Sequence, residues 1–598
     1  MRVCNREHTN PSVLGTVRKD RVDAAVFRSA GPLVTIQQAQ TWRPWSPPEL
    51  SKALAELVGE RAVDDPDRAA YLASDARLSW AQYHAHSTRL ACLLISLGLE
   101  RGERIAVLLP DAPGVHIAYL GAEKAGLVTV GIGARAGFRE LEHALQLTGA
   151  SGIISLAEHQ GRSLPDFVGH LREQGLTIRH HLVVEGELGG DHSLLLNGSR
   201  LDGARPSNEI DARLRDRHLA TDDLFLLNFT SGTTGAPKCV RHDQKRWMSF
   251  HDFAVAAGEL SQSDVFMSVV PTPFGFGIWS SHFTPTMLGV PTVLMPRFSA
   301  DEAISLLERH RVTVLAAVTT QFIMMVNSPA LERHDLSSLR LLFTGGEAVP
   351  YQRAAAFEDR TGAPVLQFYG SNETGAVSRT TLRDPREKRL RTAGRVIPEM
   401  NVRLFDGSGN DVTASGRGRP GCKGPTLSGG YYGDETANAK LIRKDGWMML
   451  GDIVHVDDEG YLRVIGRAED FIIRGGKNIS GPGVEQEVST HPAVAIAAAV
   501  SMPDETYGER VCVYVELGPG RSLDLEALVS HLAKRGVSKE MWPERLVVVP
   551  ELPRGSGGKV AKNQLREDIA RRVSAERRAL AEHDAVGTDS SDSVERLH

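Results

Sequence analysis

Between Thr230 and Lys238 the chain reads Thr-Ser-Gly-Thr-Thr-Gly-Ala-Pro-Lys, which sets four hydroxyls, two glycines and a lysine directly after the apolar run Leu224–Phe229. Glycines let a backbone turn tightly and present its N–H groups, while hydroxyls and an ammonium add donors, so the segment is equipped to grip phosphate oxygens. It is not a Walker A loop, which needs Gly directly before the Lys and Ser or Thr after it; here Pro237 precedes Lys238 and Cys239 follows. A second segment, Tyr369-Gly370-Ser371-Asn372-Glu373-Thr374-Gly375, also follows a strand-like run. Its carboxylate suits magnesium, which prefers oxygen ligands and bridges nucleotide phosphates. A third, Gly446–Asp452, ends on an aspartate able to accept two hydrogen bonds at once. Far downstream, Gly555-Ser556-Gly557-Gly558-Lys559 read alone is a glycine-rich linker.

The elements that must position these residues alternate. Leu78–Leu97, Gly114–Ala125, Ala300–His310 and Tyr351–Arg360 read as helices. Ile105–Leu109, Leu127–Gly131, Leu224–Phe229, Val312–Val318, Leu339–Phe343 and Val365–Phe368 read as strands, the pattern of an α/β protein with mostly parallel sheets. After about Arg391 short strands between glycine turns (Asn401–Phe405, Ile453–Asp457, Tyr461–Ile465) indicate a β-rich subdomain. A compact segment with strands Ala497–Val500 and Val511–Glu516 and helices Leu525–Lys534 and Ala561–Ala581 follows. The expected organisation is an N-terminal extension over 1–45, a large α/β domain over 46–466, a small mobile α+β lid over 467–582, and a polar tail over 583–598 expected to be disordered.

Bulk composition narrows the function classes. A net charge of -5 from 69 basic and 74 acidic residues, with no basic run, gives no reason to propose nucleic acid as a partner. The five cysteines are scattered and form no CxxC pair, which argues against a disulfide framework or structural zinc and for a reducing compartment. Apolar stretches such as Ala91–Leu99 and Ala493–Val500 are far short of the ~20 residues that span a bilayer. The first residues lack a signal-peptide core and Arg596-Leu597-His598 is not a peroxisomal signal, so a cytoplasmic protein is expected. A homodimer is compatible with all of this.

Taken in order, these segments resemble those of the adenylate-forming enzymes, the family of acyl-CoA synthetases, peptide-synthetase adenylation domains and firefly luciferase. The resemblance spans about residues 78 to 566 and implies a set of roles. Thr230, Ser231, Gly232, Thr233, Thr234, Gly235 and Lys238 would hold the ATP phosphates; Gly345, Gly346 and Glu347 would line the adenine; Tyr369 and Gly370 would border it. Glu373 would hold magnesium, with Asn372 standing where relatives have Thr. Asp452 would take the ribose hydroxyls and Arg467 would lie near ribose and phosphate. Glu469 sits at the interdomain hinge, Gly475 and Gly476 in the loop that faces the CoA thiol, and Lys559 at the position that reaches the carboxylate and α-phosphate. Gly481-Pro482-Gly483 departs from the family's usual Pro-x-Glu.

The implied chemistry is activation of a carboxylic acid by ATP and Mg2+ as acyl-AMP, with loss of pyrophosphate, followed by transfer to the CoA thiol. Phe274 stands at the family's aromatic gate, and Gly275 at the position where amino-acid-activating relatives carry an Asp. A buried ammonium without a partner is costly, so an apolar acid is expected. Phe276 and Trp279 serve either that pocket or ordinary core packing, and His282 reads as a packed histidine. Loading of a carrier-protein phosphopantetheine and a non-catalytic nucleotide-binding regulator stand as alternatives.

Overall fold

The computed structural model describes residues 52–74, 76–186, 188, 192–200, 214, 216–230, 237–467, 471–474, 477–555 and 559–589. The expected extension over 1–45 lies outside them. Two largely parallel sheets form the large domain. The eight-stranded one runs parallel through Leu226–Phe229, Val128–Gly131, Arg104–Leu108, Gly152–Leu156 and His180–Gly186, with Cys239–His242 antiparallel on the Leu226–Phe229 side. The nine-stranded one runs parallel through Ala69–Leu72, Thr292–Val293, Phe266–Ser268, Val314–Ala316, Leu341–Gly345 and Val365–Ser371, then closes with antiparallel Gly375–Arg379 and Arg395–Val396. Fully buried strands of this kind read as continuous apolar runs, and the six expected strands lie within a few residues of observed ones, whereas Ala69–Leu72, Gly152–Leu156, His180–Gly186, Phe266–Ser268 and Thr292–Val293 are strands the sequence reading did not name.

Helices enter where local chemistry starts them. Ser79 caps Trp80–Ser96 in a reciprocal capping box with Gln82, and Asp243 caps Gln244–Gly258 by accepting from Arg246 N–H. A third, antiparallel sheet of Asn401–Phe405, Arg417–Lys423, Met448–Met449, Asp452–Val456 and Leu462–Arg467 is the β-rich part.

The small C-terminal domain is built on Lys477–Ser480, Phe471–Arg474, Gly508–Leu517 and Val494–Asp504, with Arg545–Val548 also paired to Gly508–Leu517. It rests on the large domain through an apolar cluster that continues from helix Thr319–Asn327 into strand Val494–Asp504, and the Arg353 guanidinium donates to the Val494 carbonyl. The last helix runs Lys562–Asp589 and extends into the stretch expected to be a tail. Its Ala, Leu, Glu and Arg residues are good helix formers, and that local preference carries the helix on.

An aromatic core packs against the nine-stranded sheet. Trp279 is fully buried, stacked on Phe250 at 5.0 Å between ring centroids and set edge-on to Phe276, Phe343 and Phe368. It joins the segment carrying Phe274 and Gly275 to the strands that lead into Gly345 and Tyr369, so packing here sets the distance between those segments. Removing a buried Trp leaves a cavity costing about 3–5 kcal/mol. Trp279→Ala is expected to lower the free energy of unfolding from a urea titration by that amount; an unchanged value would show that this core is not tightly filled.

Candidate active site

The phosphate-suited segment is a hairpin connection. Strands Leu226–Phe229 and Cys239–His242 pair antiparallel, with Phe229 opposite Cys239, and Thr230 N–H donates to the Lys238 carbonyl at 3.0 Å to close the neck. Ser231, Gly232, Thr233, Thr234 and Gly235 lie outside the described residues. Lys238 sets its ammonium 5.0 Å from the centroid of the Tyr431 ring.

Tyr369–Gly375 makes the turn from strand Val365–Ser371 into Gly375–Arg379. Glycine is required at both ends: a Cβ on Gly370 would sit 1.8 Å from the Gly375 carbonyl oxygen, and Gly375 has a φ of +65°. Ser371 and Thr374 stitch the turn, each hydroxyl accepting from the other residue's N–H. Glu373 then projects to Tyr431, whose hydroxyl donates to Oε1 at 2.7 Å.

Asp452 and Arg467 face each other across paired strands. The buried Asp452 carboxylate accepts from Tyr369 Oη at 2.9 Å on Oδ2 and from Arg467 Nε at 3.2 Å on Oδ1. Burial and this carboxylate hold the Tyr369 phenol protonated, well above its ordinary pKa.

Lys559 arrives from the small domain on a hairpin turn in which Arg554 bridges Val560 and Gly555 N–H donates to the Lys559 carbonyl. Its Nζ lies 2.8 Å from where a Cβ of Gly346 would be. Burial pushes the Lys559 pKa down, opposed by the Glu347, Asp452 and Glu373 carboxylates and assisted by Arg467. The Glu347 carboxyl is shifted upward by burial, opposed by Lys559. Residues some hundred to two hundred positions apart thus meet in one charged cleft.

Asn372 uses its side chain locally. Its Nδ2 donates to Asn228 Oδ1 at 2.7 Å. Asn228 Oδ1 also meets His242 Nε2 at 2.7 Å, and His242 Nδ1 meets Arg246 Nη1 at 2.6 Å. Arginine only donates, so His242 accepts on Nδ1 and carries its proton on Nε2. Burial, then Arg246, pull the His242 pKa far down, and burial brings Arg246 to about 10. The guanidinium further donates to the carbonyls of Asn372 and Thr426. Asn228 Nδ2 donates to the Pro273 carbonyl at 2.8 Å, which ties the segment before Phe274 to the same relay. A Cβ on Gly275 would lie 2.9 Å from both Asn372 Oδ1 and Trp247 Cη2, so this position has no room for a side chain. Sequence reasoning missed Asn228, His242, Arg246 and Tyr431. The signal for Asn228 was a polar residue inside a buried apolar strand, which must find partners.

Phe274 precedes the short helical turn Gly275–Gly277 that continues into Ile278–Phe283. His282 is buried, its Nδ1 3.1 Å from His116 Nδ1, and burial keeps it neutral with a pKa of about 3. Glu469, Gly475 and Gly476 lie outside the described residues. Among the described residues no cluster of three or more His, Cys, Asp or Glu could hold a metal ion unaided, and no helix is long and apolar enough to cross a membrane. A single carboxylate such as Glu373 suits magnesium, which takes one or two carboxylates and completes its shell with substrate phosphates and water.

A cleft where carboxylates surround an inserted lysine is equipped for nucleotide phosphate chemistry, and comparison with known proteins agrees. The family model for AMP-binding enzymes matches residues 58–432 and that for the AMP-binding enzyme C-terminal domain matches 483–559. The chain belongs to the AMP-binding enzyme family. It is 30% identical over 526 residues to the medium-chain fatty-acid–CoA ligase of Escherichia coli (strain K12), covering 87% of this chain and 91% of that one. It is 29% identical over 523 residues to the indoleacetate–CoA ligase of Aromatoleum aromaticum, covering 87% and 99%. Its fold matches the crystal structure of the anthranilate CoA ligase AuaEII in complex with anthranoyl-AMP, with a TM-score of 0.76 at 22% identity over 88% of this chain and 99% of that one.

Gly346 has a φ of +78° as well as Lys559 against it. Gly346→Ala is therefore expected to obstruct the lysine and lower carboxylate-dependent pyrophosphate–ATP exchange by ~10²-fold, the scale of one lost electrostatic donor. Exchange within threefold of the parent would show that the lysine does not work from this position.

Proposed function

We propose that this chain is an ATP-dependent acid–CoA ligase that activates an apolar carboxylic acid as acyl-AMP and transfers the acyl group to the CoA thiol. The observation that carries this reading is the entry of Lys559, from the small domain, beside Gly346 and into the field of Glu347, Asp452 and Glu373. A carboxylate cannot expel oxide, so it must first gain a better leaving group. Its attack on the ATP α-phosphorus releases pyrophosphate and leaves AMP as that group.

The attack brings two anions together, and opposing charge must be in place beforehand. Lys559 supplies a cation to the reacting oxygens, while Thr230 to Lys238 hold the β- and γ-phosphates. Asp452, oriented by Tyr369 and Arg467, takes the ribose hydroxyls, and Gly345 to Glu347 border the adenine. Glu373 would hold magnesium, which when bound with the nucleotide offsets phosphate charge. Gly275 leaves no carboxylate at the gate to pair with an α-ammonium, which supports an acid lacking one; the two curated relatives above are named for apolar acids of that kind. Thiol attack needs the space that Lys559 fills. A swing of the small domain about Glu469, bringing Gly475 and Gly476 to the acyl carbonyl, would clear it.

Lys559→Ala is expected to cut acid-dependent pyrophosphate release by ~10²–10³-fold while sparing CoA transfer from supplied acyl-adenylate. Equal loss of both half-reactions would refute the role given to Lys559, and transfer to a carrier protein but not to CoA would refute the choice of acceptor.

A further inference from the structure

Tyr431 belongs to none of the sequence segments that carry the chemistry, yet it touches two of them. Its hydroxyl donates to Glu373 Oε1 at 2.7 Å, and the Lys238 ammonium lies 5.0 Å from the centre of its ring. Among the described residues Oε2 of Glu373 accepts no hydrogen bond, so the tyrosine occupies one carboxylate oxygen and leaves the other to a further partner.

The residue is held by its backbone on every side. Tyr431 pairs with Val240, two residues beyond Lys238; Arg241 N–H donates to the Gly430 carbonyl and Tyr432 N–H to the Cys239 carbonyl. Asn438 accepts from Tyr431 N–H at 2.7 Å and donates to its carbonyl at 2.8 Å. Ser428 N–H donates to the backbone carbonyl of Glu373 at 2.7 Å, which binds the same loop to the carboxylate's own turn. Gly430 is required for this approach: with a φ of +79°, its Cβ would meet Asn438 Oδ1 at 2.6 Å. So many fixed points restrict the phenol, and a group held in place before the ligand arrives loses little entropy when it binds.

We propose that Tyr431 is a positioning residue that couples the phosphate loop to the metal site, its hydroxyl aiming the Glu373 carboxylate and its ring seating the Lys238 ammonium. This rests on the reading of Glu373 as the magnesium carboxylate. A phenol is protonated at neutral pH, so the tyrosine hydroxyl has a hydrogen to donate to the Glu373 carboxylate, which can only accept. A hydrogen bond to a charged acceptor fixes direction as well as energy. A cation on a ring face, by contrast, needs only the ring. The two functions can therefore be separated by substitution.

The test is the binding of ATP by calorimetry, with and without Mg2+, to the full chain and to Tyr431→Phe, Tyr431→Leu and Glu373→Gln, with AMP affinity and the thermal midpoint as controls for folding. Tyr431→Phe is expected to lose about tenfold of the Mg2+-dependent gain in ATP affinity while keeping metal-free ATP affinity, since the ring remains. Tyr431→Leu is expected to lose the same gain and, in addition, to weaken metal-free ATP binding severalfold. If Tyr431→Phe keeps the full gain while Glu373→Gln loses it, Tyr431 does not position the carboxylate and the proposal falls. If Glu373→Gln also keeps the full gain, the assignment of Glu373 to the metal is what fails, and the proposal goes with it.

Discussion

A lysine withdrawn from water is unstable as a cation unless negative charge surrounds it. The burial that depresses the Lys559 pKa and the Glu347, Asp452 and Glu373 carboxylates that oppose it are therefore the balance on which the site depends. Those carboxylates come from a loop after one parallel strand, from a turn between two strands and from the antiparallel sheet. Glu347 and Glu373 follow neighbouring strands of the nine-stranded sheet, and Asp452 joins them only because the β-rich part docks against that sheet. The small domain must then be seated so that one hairpin turn enters the cleft. An anionic nucleotide entering the same cleft would find the cation already placed, the arrangement electrostatic catalysis requires.

A second constraint is internal to the large domain. Arg246, His242, Asn228 and Asn372 form a chain of oriented hydrogen bonds through buried space, and each member has one available role. The obligate donor Arg246 fixes the tautomer of His242; that fixes which Asn228 atom accepts; Asn228 then holds both Asn372 and the carbonyl of Pro273. Networks of this kind are costly when half-satisfied and rigid when complete. Here the rigidity keeps strand Leu226–Phe229, the Tyr369–Gly375 turn and the segment at Pro273 in one register. It also removes space beside Gly275, since Asn372 and Trp247 stand where a side chain at that position would go.

The degree to which these features could be read in advance differs by kind. Six strands announced themselves because a strand covered on both faces is largely apolar, as in Leu341–Gly345 and Val314–Ala316, while shorter or more polar ones such as Thr292–Val293 and His180–Gly186 went unread. The last helix was placed but ended too early in the sequence reading, because a polar, alanine-bearing stretch has helix preference without an apolar stripe to mark it. Asn372 could be read only as standing where relatives have Thr, and the folded chain adds that its amide is engaged by Asn228. Trp279, open between pocket and core in the sequence, is fully buried among other rings.

By itself the sequence determined the order of the chemical segments, the α/β class and the glycines without which the Gly370–Gly375 turn could not close, since these depend on neighbours along the chain. Only the tertiary structure decided that Tyr431 meets Glu373 and Lys238, that Asn228 holds Asn372, and that Lys559 lies against Gly346. Those contacts join residues from about sixty to more than two hundred positions apart. Local preference carries no information about such pairings; they exist because sheets and domains dock through buried surface whose partners are chosen in three dimensions.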